Sequence, residues 1–136
     1  MNDFVAANVA LLNSAFDAFN RGDTESCLER MASGFLINLA GAPAQLVGRE
    51  AWKQGVEVLR AGFPDMRMEV QDIFGHGDRV AVRNLLRGTH TGEFQGVPPT
   101  GRVVEVMSNE FYRVSGGVIA EEWICTDLAG LMGQIG

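Results

Sequence analysis

Residues 121–127 read EEWICTD: three carboxylates around a tryptophan, close to the end of the chain. Carboxylates in a dry hollow can move protons, because burial and like charge push their pKa values apart. Few other side chains offer chemistry. Cys27 and Cys125 are far apart and read as reduced thiols, and His76 and His90 stand alone, so no metal-ligand spacing appears. No glycine-rich phosphate loop and no G-x-S-x-G follow a strand. The sequence therefore predicts neither metal nor cofactor, and leaves carboxylates, amides, hydroxyls and a bound substrate to do any chemistry.

Strand alternation says which acids could face a pocket. Over 118–127, Ile119, Glu121, Trp123 and Cys125 share one face, and Ala120, Glu122, Ile124 and Thr126 share the other. Ile119 and Trp123 make the first the expected core face, with Glu122 outward or in a subunit contact. If Gly116-Gly117 is a two-residue hairpin loop, Ser115 faces Val118 and, counting back, Tyr112 faces Glu121, Glu110 faces Trp123 and Ser108 faces Cys125. A three-residue loop would bring Asn109 and Phe111 inward instead. The two-residue loop is the expected one, and it sets Glu110 and Glu121 on adjacent strands.

The elements that must position these residues follow from periodicity. Val5, Val9, Leu12, Phe16 and Phe19 recur at helical spacing over 3–20, with Asn2 or Asp3 as cap. NRGD (20–23) breaks this helix. Asp23 or Thr24 caps a short second one, with Leu28 and Met31 on its buried side. A short strand is expected over 34–41, and a third helix over 48–63, which Pro64 stops. Alternation then predicts strands over 66–75, 79–92, 102–114 and 118–127, and a last amphipathic turn over 128–136 with Asp127 as cap. Helices first and strands later imply an α+β fold. A long curved antiparallel meander with helices over its concave face leaves a cone-shaped hollow suited to a small molecule.

Length, composition and charge narrow the class. At 136 residues a single domain, 1–136, with one core is expected. A net charge of −6 argues against nucleic acid and against an anionic membrane surface. No segment is long and apolar enough to span a bilayer, and the N-terminus lacks a basic leader, so a cytoplasmic protein is expected.

Several stretches resemble the SnoaL-like polyketide cyclases, a family with the nuclear-transport-factor-2-like fold. They are FPDMRMEVQDIFGHGDRVAVR (63–83), GTHTGEFQGVPPTGR (88–102), FYRVSGGVIAEEW (111–123) and DLAGLMGQIG (127–136). The resemblance implies a cone-shaped α+β barrel with a mostly antiparallel sheet wrapped on N-terminal helices. It also implies a homodimer or higher homo-oligomer, no cofactor, and closure of a ring in a hydrophobic, polyketide-like intermediate of antibiotic biosynthesis. At position 110 the family tends to carry Asp, Asn or His, so Glu110 departs from its pattern, while Asp127 ends the E-E-W-x-x-x-D pattern that relatives share.

On this reading Glu110 and Glu121 are the catalytic pair. Two buried carboxylates are costly, so one would hold a proton and act as acid while the other acts as base. Tyr112 and Trp123 would offer flat walls for an unsaturated substrate, and Ser108 shares their face. Asp127 is either a helix cap or a third acid at the rim. Asn84 and Asn38 either orient substrate or join an internal network, and His90 is inward, either structural or substrate-binding. Arg83 and Arg87 fall on the opposite phase and read as solvated. Trp52, Met66, Met68 and Met107 read as core or interface, and GVPPTG as a stiffened connection. The alternatives are an epoxide hydrolase or isomerase on the same scaffold, and a binding or assembly module without chemistry, whose hollow would be closed or wholly apolar.

Overall fold

In the computed structural model, which describes residues 3–136, α1 (Asp3–Asn20), α2 (Thr24–Glu29), β1 (Met31–Leu39), β2 (Leu46–Val47) and α3 (Arg49–Gly62) precede the main strands. Then come β3 (Arg67–His76), β4 (Arg79–Thr89), β5 (Val103–Ser115), β6 (Val118–Thr126) and α4 (Leu128–Ile135). The sheet is six-stranded in the order β2-β1-β6-β5-β4-β3. The four-strand antiparallel meander is as the alternation predicts. The first strand joins it parallel to β6, and the short β2, which no sequence signal marks, closes that edge. The result is an α+β fold: a curved open sheet wrapped on the N-terminal helices.

Helix ends follow ordinary capping chemistry. Asp23 is the cap of α2, its Oδ1 accepting from the Ser26 N–H at 3.1 Å. Asn2, a candidate cap of α1, lies outside the described residues, and Asp3 is already helical. Met31 is not on α2 as its spacing suggests. Arg30 ends that helix, and Met31 is the first, buried residue of β1. At the other end of α1, Asn20 pairs with Met68 through two side-chain bonds of 2.8 Å, to the Met68 N–H and C=O. Its amide thus acts as one more rung beside the edge strand β3 and ties the helix to the sheet.

Two apolar groups hold these layers. Leu12 and Phe16 of α1 bury against Phe35, Val82 and Tyr112 of the sheet's inner face. Phe63, Leu86, Phe94, Val104, Leu131 and Ile135 fill the other end and seat α4 and the 92–101 loop. On the outer face Arg83 pairs with Asp72, and Arg87 with Glu69 and Glu105, all partly exposed, as their phase predicts.

Candidate active site

Between α1, α3 and the inner face of β1, β6 and β5 lies a cavity of about 350 Å³. Leu12, Phe16 and Phe19 of α1 and Trp52, Val56 and Leu59 of α3 make its roof, and almost every other wall is aliphatic or aromatic. The polar exceptions on the sheet wall are Glu110 and Tyr112 of β5 and Glu122 and Thr126 of β6. Trp52 and Met68, read from sequence as core or interface, line this space.

The pairing of β5 with β6 decides which acids are inside. Ser115 faces Val118 across the Gly116-Gly117 turn, as expected. The ladder then slips by one residue. Val114 faces Ile119 but Arg113 faces Glu121, so Ala120 is the extra residue of a β-bulge. Because side chains alternate with period two, this one insertion inverts the strand beyond it. Tyr112 faces Glu122, Glu110 faces Ile124 and Ser108 faces Thr126.

Three sequence expectations, for Glu121, Trp123 and Glu122, are corrected here, and two open ones, for Asn38 and Asp127, resolve to the internal network and the helix cap. Glu121 points to the outer face, where it meets Arg113 at 3.2 Å and accepts from Asn38 at 3.0 Å. Trp123 also faces outward, under the Arg79 guanidinium at 5.1 Å. Asn38 is bound up with Glu121, Gln45 and the Glu122 carbonyl on that side, and does not line the cavity. Asp127 caps α4, its Oδ1 accepting from the Gly130 N–H at 2.8 Å, and is exposed. Glu122, which alternation sends outward, is 5% exposed and lines the cavity.

Glu110, Ser108, Tyr112 and Asn84 do come together. Glu110 is 2% exposed. Its Oε1 accepts from the Tyr112 hydroxyl at 2.5 Å and the Asn84 amide at 3.2 Å, and its Oε2 accepts from Ser108 at 2.6 Å. Ser108 spends its one proton on Glu110, so Thr126, 2.9 Å away, must donate to Ser108. A chain of hydroxyls thus runs from the cavity wall to Glu110. His90 is buried elsewhere, against Phe63, with Nδ1 accepting from the Thr100 N–H at 3.2 Å, and it does not line the cavity.

The two inward acids sit in different surroundings. Burial raises the Glu110 pKa, while the bonds from Ser108, Tyr112 and Asn84 pull it back. Burial, and then the charge of Glu110, hold Glu122 well above the usual carboxylate range. Among the described residues nothing hydrogen-bonds to the Glu122 carboxyl. Donors favour the charged form, so the negative charge is favoured on Glu110 and the proton on Glu122. Burial, and then the charge of Glu110, also push the Tyr112 phenol upward, so it remains a donor.

The described residues contain no group of three or more His, Cys, Asp or Glu placed to hold a metal. No helix is long and apolar enough to cross a membrane.

The missed residues had faint signals. Val118, Ile119 and Ala120 are apolar in succession, so alternation does not fix the phase before the two glutamates. Thr126 follows the same inversion as Glu122. Cys27 lines the cavity, and burial raises its thiol pKa.

Comparison with known proteins agrees with this architecture. The sequence profile of the SnoaL-like polyketide cyclase family matches residues 10–135. The chain is 29% identical over 120 residues to nogalonic acid methyl ester cyclase of Streptomyces nogalater, covering 88% of this chain and 90% of that one. Among solved structures, a Jannaschia sp. CCS1 protein assigned as a SnoaL-like polyketide cyclase superposes with a TM-score of 0.90 at 28% identity, over 99% of this chain and 95% of the other. IdmH of Streptomyces antibioticus, assigned as a polyketide cyclase, is 39% identical with a TM-score of 0.83, over 95% and 98%.

Proposed function

The chain belongs to the SnoaL-like polyketide cyclases, and from that premise we propose that its cavity closes a ring in a polyketide-like intermediate by carboxylate acid–base catalysis. The observation that carries this reading is the unequal pair of acids, Glu110 with three donors and Glu122 with none described, in an otherwise apolar cavity.

In an aldol closure, Glu110 is the base. Three of its roughly four acceptor sites are filled, and one on Oε2 stays free for a proton. It takes that proton from a carbon flanked by carbonyls. The resulting carbanion attacks a second carbonyl of the same molecule, and one carbon–carbon bond forms. Glu122 gives its proton to the oxygen of that carbonyl, which becomes a hydroxyl. The pair ends with its protons exchanged and resets through solvent after release. The Thr126–Ser108 chain gives Glu110 a second route for this reset. Trp52 and Phe16 provide flat walls for an unsaturated substrate.

The hydrolase alternative needs a water held between an acid, an amide and the tyrosine. Asn84 and Tyr112 instead both donate to Glu110, which favours the cyclase reading. Two carboxyls in the cavity equally disfavour a module that only binds.

Purified protein incubated with nogalonic acid methyl ester tests the proposal, with ring closure followed by absorbance and chromatography. The wild type is expected to accelerate closure, and Glu110→Gln and Glu122→Gln to remove most of that acceleration. Closure at equal rates in all three would contradict it.

A further inference from the structure

The exposed rim of the cavity is apolar at Leu39, Leu46, Val58 and Leu128, and its one polar side chain is Gln95. Gln95 is also the one non-glycine residue among those described with a positive φ, +50°. With Gly96 at +78° it forms the two central positions of a tight turn. The Val97 N–H donates to the Phe94 carbonyl at 2.9 Å, and the Phe94 N–H to the Val97 carbonyl at 3.1 Å. Two successive left-handed residues closed by such a pair make a type I′ turn, which favours Asn, Asp or Gly at its first centre. A glutamine there is strained, and strain of this kind gathers at functional sites.

The surroundings hold the turn in place. Phe94 is buried against Phe63, with ring centroids 5.2 Å apart. The Thr91 and Gly92 N–H groups both donate to the Gly62 carbonyl, at 3.2 and 3.1 Å. Gly92 passes so close to α3 that a Cβ would stand 1.8 Å from the Ala61 carbonyl oxygen. Asparagine would relieve the turn and keep the same carboxamide. What glutamine adds is one methylene of reach over the cavity. Among the described residues nothing hydrogen-bonds to its carboxamide.

We propose that Gln95 reads the substrate at the cavity mouth, its carboxamide pairing with an uncharged oxygen function, a ketone, ester carbonyl or phenol, on the outermost part of the molecule. This rests on the cavity being the polyketide site. An amide offers donors and an acceptor without charge, which matches oxygens of that kind. Gln95 is then a specificity-determining residue, lining the same cavity as the acids.

The test compares wild type, Gln95→Gly and Gln95→Asn by Tm and by the affinity of two planar probes. One is 1,8-dihydroxyanthraquinone, and the other is anthracene, which lacks oxygen. Gln95→Gly is expected to raise Tm, weaken the quinone about fivefold, as loss of one hydrogen bond would, and leave anthracene unchanged. Gln95→Asn should also raise Tm and lose part of the quinone affinity. A Gln95→Gly protein that is more stable but binds both probes like wild type would overturn the proposal alone. So would a lower Tm, because the glutamine would then serve the turn. If the wild type takes up neither probe, the reading of the cavity fails and this proposal falls with it.

Discussion

Glu110 and Glu122 lie diagonally across the β5–β6 ladder on the same inner face, because Tyr112 faces Glu122 and Glu110 faces Ile124. Diagonal neighbours on one face are about 7–8 Å apart, close enough for the charge of Glu110 to act on Glu122. Their surroundings differ because Ser108, Tyr112 and Asn84 all point their donors at one of the two.

Stability should record that difference. The folded pKa of Glu122 lies well above the 4.5 of a free glutamate. The folded state therefore binds the proton more tightly than the unfolded one. Its contribution is complete below pH 4.5 and is lost as pH rises from there through the raised folded value. Glu122→Gln, neutral at every pH, should gain Tm relative to wild type as pH is raised over that range. Parallel Tm–pH curves would contradict this.

The register makes an opposite forecast for the neighbouring acid. Glu121→Gln removes a charge on the outer face, where its partners are Arg113, Asn38 and Gln45. It should cost at most about 1 kcal/mol, as partly exposed pairs do, and leave ring closure within twofold of wild type. Denaturant melts and the closure assay check both parts, and a large loss of turnover would place Glu121 in the mechanism.

Most of the fold is legible in the sequence because it is periodic. α1, α3 and the four long strands all show their spacing, and Asp23 and Asp127 show as caps. The Glu110 cluster is legible for the same reason, since β5 alternates from Val103 to Ser115 without interruption. β6 is different. A bulge leaves no residue-type signature in Val118-Ile119-Ala120, and the parallel partner β1 is set by tertiary packing. One unmarked residue, Ala120, therefore exchanges Glu121 for Glu122 and Trp123 for Ile124.

The hydroxyl chain can be broken without touching either acid. Thr126→Val keeps shape but removes the donor to Ser108. It should slow ring closure about tenfold with little change in KM, less than the roughly 10²–10⁴-fold of a group that itself transfers the proton, while Thr126→Ser should retain most activity. If Val and Ser variants behave alike, the hydroxyl has no part.

The outer face carries large exposed apolar side chains on β5, with Phe111 at 56% and Met107 at 53% exposure. Such a patch is unusual for a monomer. We expect a homodimer through this face at micromolar concentration by light scattering, shifted to monomer by Phe111→Lys. A wild-type monomer would refute it.

The split of the two carboxyls is tested most directly by infrared difference spectroscopy near neutral pH, which needs no substrate. A protonated carboxyl has a carbonyl stretch that a carboxylate lacks. The wild type minus Glu122→Gln spectrum should show that band, and the wild type minus Glu110→Gln spectrum should show loss of a carboxylate band instead. A protonated band assigned to Glu110, or none at Glu122, would contradict the account.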